Sequence, residues 1–186
     1  MIKGRHWPKI VNVVQFQLGW FALVLGVAWG YPVAGMAVAC VLLACHLYGY
    51  GSRRELVLLA AVGLLGWLWE SVLYTLGLLV HPHWPPEVLV APLWMAVLWL
   101  NFASTLNHSL AWLKDQPVLA CLFGASGGPL AFWAGAKLGA VSFSDELVAL
   151  VVLSGAWAVL MPLVMMLSVR LCGGGGQAAA TVGEPI

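Results

Sequence analysis

The chain has 186 residues, 62% of them hydrophobic and only 8% charged, with a mean hydropathy of +0.95. Soluble domains carry about 25% charged residues, so this chain cannot coat a water-facing sphere, and the bilayer, which requires no polar coat, is the solvent that fits. Eight Lys and Arg against seven Asp and Glu leave no basic stripe to displace counterions, which excludes a nucleic-acid partner.

Apolar stretches of about 20 residues are long enough to cross a membrane as helices, and six follow in chain order. The first runs from about Ile10 to Trp29, and "GYP" at 30–32 makes a tight turn. The second covers Val33 to Tyr50, and "GSRRE" at 51–55 breaks the pattern. The third covers Leu56 to Val80 and meets "HPHWPPE" at 81–87, a proline-rich loop that cannot continue a helix. The fourth covers Val88 to Leu113 and stops at "KDQP", 114–117; the fifth covers Val118 to Leu138 and the sixth Leu147 to Val169. These spans predict an all-α, polytopic membrane bundle in one domain, residues 1–170. Residues 171–186, rich in Gly, are expected to form a disordered cytoplasmic tail. The first span has a basic front, but its apolar region exceeds the roughly 7–15 residues of a signal peptide and no small-x-small cleavage site closes it, so it is expected to be retained.

Orientation follows from the positive-inside rule. With six spans, Lys3, Arg5, Lys9, Arg53, Arg54, Lys114 and Arg170 fall on one side and only Lys137 near the other. Both termini are therefore expected in the cytoplasm. Trp7, Trp29, Trp84 and Trp112 sit near the expected interfaces, as aromatic belts do. Trp67, Trp69, Trp99 and Trp133 lie deeper and need a partner for the indole N–H or simply pack.

The polar residues inside the spans carry the functional argument. Glu70, in "GWLWESVLYTLG", is the only acidic residue well inside a span. A central carboxyl costs about 2.5–3.5 kcal/mol to insert, so it faces the interior, either as a working group or as an interhelical hydrogen bond. At about 1.5 Å rise per residue, Glu70 lies roughly 15 Å and Asn101 roughly 20 Å deep from the outer end, near one level. Trp94, Leu98, Asn101, Thr105, His108 and Trp112 recur at helical spacing and are expected on one face of the fourth helix. Ser104 and Thr105 read as interhelical glue, and Asn107 and Ser109 as wet groups near the cytoplasmic end. Gln15 and Gln17, two apart, cannot both face one neighbour, so one faces the bundle and the other a headgroup or loop.

The fifth span holds two overlapping features. Gly124 with Gly128, and Gly135 with Gly139, are GxxxG pairs that let helices approach closely. Gly127-Gly128-Pro129 in mid-span is expected to kink or break the helix, because Pro129 lacks an N–H and clashes with the Ala125 carbonyl. Such breaks carry ligand sites in transporters, although a kinked, continuous packing helix satisfies the same residues.

Other combinations are weaker. His81, His83 and Glu87 share a short loop without the fixed geometry a zinc site needs. His46 and His108 have no haem motif beside them. Cys40, Cys45, Cys121 and Cys172 show neither metal nor disulfide spacing and read as small apolar packing residues. No P-loop, GxSxG or HExxH is present. No metal, cofactor or catalytic set is expected.

"FQLGWFALVLG", "APLWMAVLWLNFASTLNHSLAW" and "GASGGPLAFWAGAKLGA", in the first, fourth and fifth spans, resemble a family of small bacterial inner-membrane proteins, a domain of unknown function (number twenty-eight seventy-eight). The resemblance runs from about Asn12 to about Val169. Where that family carries Asp-Ser in the third helix this chain has Glu70-Ser71, a carboxyl one methylene longer. The resemblance implies a multi-pass protein of the bacterial inner membrane, often encoded beside a cyclopropane-fatty-acid-synthase-like methyltransferase and a flavin-dependent amine-oxidase-like protein. It thus implies membrane-associated lipid-modifying enzymes as partners and a role near membrane lipid modification.

The leading expectation is a polar central cavity lined by Glu70, Asn101, Thr105, His108 and Gln15 and shaped by Gly127 and Gly128, binding or moving a lipidic or small amphipathic ligand. The alternative is a non-catalytic scaffold that dimerises or docks a partner enzyme through the glycine faces. An intramembrane enzyme using Glu70 with His108 ranks last, because His108 lies well along the fourth helix from the level of Glu70.

Overall fold

The computed structural model describes residues 7–82, 84–85 and 87–172. Lys3, Arg5, His83 and the expected tail from 173 onward lie outside the described residues. Among the described residues there are six α-helices: α1 (Trp7–Ala28), α2 (Pro32–Tyr50), α3 (Arg53–Thr75), α4 (Leu93–Ala103), α5 (Pro117–Lys137) and α6 (Glu146–Cys172). All but α4 are long and apolar enough to cross a membrane. The molecule is an all-α bundle, and exposed Leu and Val side chains such as Val41, Leu64, Leu122, Leu130 and Val151 cover its outer faces.

Local chemistry sets the boundaries. Gly30, at φ 81°, turns the chain after α1, and Pro32 opens α2 at a position where its missing N–H costs nothing. Ser52 caps α3 by accepting from the Glu55 N–H at 3.1 Å. The third helix stops at Thr75 rather than continuing to Val80, because Gly77 takes φ 69° and the Leu78 N–H returns to the Leu73 carbonyl. The freed segment forms β1 (Leu79–Val80), which pairs antiparallel with β2 (Ser142–Phe143) and ties the α3–α4 loop to the α5–α6 loop.

The fourth span differs most from its sequence reading. One helix was expected from Val88 to Leu113, but α4 ends at Ala103, seven turn residues follow, and a 3₁₀ turn covers Ala111–Leu113. Two local competitors explain the break. The Ser104 and Thr105 hydroxyls donate to the Asn101 and Phe102 carbonyls, at 2.7 and 2.6 Å. From α1, buried Asn12 donates to the Ser104 carbonyl at 3.0 Å and accepts from the Ser109 N–H at 3.2 Å. Ser104, Thr105 and Leu106 are buried, which keeps this irregular backbone inside protein, as a bilayer requires.

Of the two outcomes weighed for the fifth span, a break or a continuous packing helix, α5 takes the second and runs unbroken through Pro129. The Ala125 carbonyl, which Pro129 deprives of its helical partner, accepts instead from Ser154 Oγ of α6 at 2.7 Å. Three sequential hairpins, α1/α2, α3/α4 and α5/α6, pack together, and α4 also touches α1 and α2. The short fourth helix is therefore the element on which the interior is organised.

Candidate functional site

Glu70 is completely buried. Its Oε1 accepts from the Trp99 indole N–H at 3.2 Å, and its Oε2 has no partner among the described residues. Trp99 stacks on Trp157 of α6, with ring centroids 4.9 Å apart and planes 9° from parallel. Gly66 leaves room on one side of this stack, since a Cβ there would overlap the Trp99 ring, and Gly128 does the same for Trp157. A carboxyl from α3 is thus wired through two indoles to the glycine face of α5.

Beyond the indoles lies a cavity of about 480 Å³, within the roughly 300–1,000 Å³ of small-molecule sites. It sits between α1 and α5, which are not packed face to face. Val13, Phe16, Gln17 and Trp20 of α1 form one wall; Phe123, Gly124, Gly127, Gly128 and Ala131 of α5 form the other. Leu98, Trp99, Phe102 and Trp157 close the floor, and Thr105, Ser109 and Trp112 line the end nearest the chain break.

A second polar centre sits at the opposite end of the bundle from the β-pair. Glu55 is buried, with Oε1 3.4 Å from His46 Nε2 and 3.6 Å from His108 Nε2. Asn107 Nδ2 donates to its other oxygen, and Asn107 Oδ1 in turn accepts from Lys114 Nζ and, at 2.6 Å, from Ser168 Oγ. Burial lowers the Lys114 ammonium from its ordinary range, against the opposing pull of Cys172, Glu55 and Asp115. The Tyr50 ring lies 5.7 Å from that of His46 and 5.1 Å from that of His108.

The residues singled out in the sequence distribute among these surroundings. Thr105, Gly127 and Gly128 line the cavity, but Glu70, Asn101, Gln15 and His108 do not. Asn101 does not meet Glu70; it turns to α1 and donates to the Phe16 carbonyl at 2.9 Å. Gln15 donates to the Leu42 carbonyl of α2, whereas Gln17 faces the cavity. His108 joins Glu55. The cavity is therefore mainly apolar rather than a polar centre, because the strong polar groups are consumed by partners behind its walls. Gly124 and Gly128 pack α5 on Trp157 and Met161 of α6. A Cβ at Gly135 would meet nothing within 4 Å, and Gly139 lies past the end of α5 at φ 89°.

Sequence reasoning missed Glu55, Ser168 and Asn12, and it read Asn107 as a wet group although Asn107 is bonded to Glu55, Lys114 and Ser168. One signal for Glu55 was present: Ser52-x-x-Glu55 is a capping-box spacing. Its carboxylate, however, turns inward to the histidines and Asn107.

No curated protein and no solved structure matches the chain. A family model described as a protein of unknown function (DUF2878) matches residues 9–163, most of the bundle just described, and the chain belongs to that family.

Proposed function

We propose that this is a multi-pass protein of the bacterial inner membrane that holds one acyl chain of a bilayer lipid in the cavity between α1 and α5, in support of membrane lipid modification. The observation that carries this reading is the cavity itself, about 480 Å³ with aromatic, aliphatic and glycine walls. From Phe123 to Ala131 its α5 wall rises about 12 Å at 1.5 Å per residue, close to the roughly 15 Å of one leaflet's hydrocarbon. Gln17 and Ser109 present polar side chains along it, and Trp112 stands at its end, 46% exposed. That order suits an amphiphile whose ester end meets the polar groups and whose chain runs toward Leu98 and Ala131.

Gly127→Leu tests the reading. Gly127 lines the cavity, and a Cβ there meets only the Phe123 ring, at 3.7 Å, so a side chain can start at this position without a backbone clash and add bulk to the cavity wall. Lipid co-purifying in mild detergent is quantified by mass spectrometry, with an absorption spectrum on the same sample. A near-stoichiometric diacyl lipid in the parent, lost in Gly127→Leu, is the expected result. Equal lipid in both, or a quinone chromophore in its place, overturns the acyl-chain assignment. In the scaffold alternative Gly124 and Gly128 are already covered by α6, which leaves Gly135 and Gly139 to carry it.

A further inference from the structure

His46 comes from α2, Glu55 from the first turn of α3, and His108 from the irregular run after α4. Each offers one ligand atom, and these three atoms all lie within 4.8 Å of one another. Glu55 Oε1 is 3.4 Å from one imidazole nitrogen and 3.6 Å from the other. Charge-assisted hydrogen bonds are shorter, about 2.7–2.9 Å. Tetrahedral zinc, with bonds of about 2.0–2.1 Å to nitrogen and oxygen, sets its ligand atoms about 3.3 Å apart. The His46 contact is a long hydrogen bond, and both separations from Glu55 Oε1 match the spacing of ligand atoms around a small ion.

Two further observations agree. Asn107, itself held by Lys114 and Ser168, fixes the second carboxylate oxygen and leaves Oε1 aimed between the imidazoles, the kind of outer support that ligating carboxylates receive. His108 Nε2, which faces Glu55, is buried without a hydrogen-bond partner among the described residues, so the ion-pair network by itself leaves one of the two nitrogens at the site unsatisfied. The His108 side chain is 19% exposed, which gives an ion a way in.

We propose that His46, Glu55 and His108 form a binding site for a divalent transition-metal ion of zinc type. Two nitrogens and one oxygen are the donors such ions take, whereas magnesium and calcium prefer all-oxygen shells. Three protein ligands leave a fourth position free for water or another small ligand.

The test uses the full chain, without a polyhistidine tag, in detergent. His6, His81 and His83 are replaced by Gln, so that of the five histidines only His46 and His108 remain. The protein is stripped with a chelator and titrated with Co²⁺, whose visible bands report tetrahedral coordination. One Co²⁺ per chain, displaced by Zn²⁺ and lost in His46→Gln and in His108→Gln, is expected; Asn107→Ala should weaken binding at least about tenfold. Absence of the bands in the parent overturns the site, as does unchanged binding in His108→Gln. His108 is the more exposed ligand, and its variant keeps the test decisive if His46→Gln does not accumulate. If neither variant accumulates, the parent titration alone decides.

Discussion

Glu70 illustrates how a buried carboxyl is held in an apolar bundle. Its one described partner is the Trp99 N–H, so the amide oxygen of Gln can take over that bond while Leu cannot. Glu70→Gln should therefore keep near-parental stability, and Glu70→Leu should lose about 1–3 kcal/mol by stranding a buried donor, read by unfolding titration in detergent. His81, in the α3–α4 loop, behaves differently. It is 2% exposed between Tyr74 and Trp94, and burial pushes its imidazole down to about 4 from the ordinary 6.5. The folded protein thus refuses a proton that the unfolded chain accepts. The resulting stability is whole above pH 6.5 and is lost as pH falls toward 4, by about 3 kcal/mol in total. His81→Phe keeps the ring packing and should flatten that acid limb in melting curves recorded between these pH values.

Among the elements, α5 separates glycines that look alike in sequence. Gly128 and Gly135 both belong to GxxxG pairs, yet a Cβ at Gly128 strikes the Trp157 indole and one at Gly135 meets open space. Gly128→Ala should destabilise by about 1–3 kcal/mol through overpacking. Gly135→Ala should be neutral or stabilise by up to about 1 kcal/mol, since alanine is the better helix former. Comparing the two by SDS unfolding checks the contrast, and equal losses would show that α6 does not discriminate them. Hydropathy made the five long helices legible, because a bilayer dictates their length whatever their neighbours do. It could not reveal the end of α4 at Ala103, where two hydroxyls and Asn12 of α1 compete for backbone groups that a hydropathy window counts only as residues.

At the scale of the molecule, the two ends of the bundle differ. One has the β1–β2 pair and the Ser144 Oγ bond to the Gly77 carbonyl joining its loops; the other gathers Arg53, Arg54, Lys114 and the Glu55 cluster. We propose that the second end faces the cytoplasm, following the Lys and Arg bias. Single cysteines introduced at Ser52 and Gln116, in a cysteine-free background, should resist a membrane-impermeant thiol reagent added to intact cells. Cysteines at Tyr31 and Ser144 should react. The reverse pattern would invert the orientation.

The sequence by itself determined that this chain is an all-α bundle made for a bilayer, because composition and run length are properties of the residues alone. It also determined that Glu70 faces inward, because an isolated carboxyl has nowhere else to go at that depth. Only the tertiary structure decided which groups meet. Glu70 finds Trp99 rather than Asn101, because α4 presents the indole to α3 and the amide to α1. Glu55, which reads as part of a polar break, finds His46 and His108 because α2, α3 and the broken fourth span converge at one end of the bundle. Helical spacing gives the faces of one helix, but the rotation of that helix against its neighbours comes from packing, and that rotation kept Glu70, Asn101, Gln15 and His108 out of the apolar cavity they were expected to line.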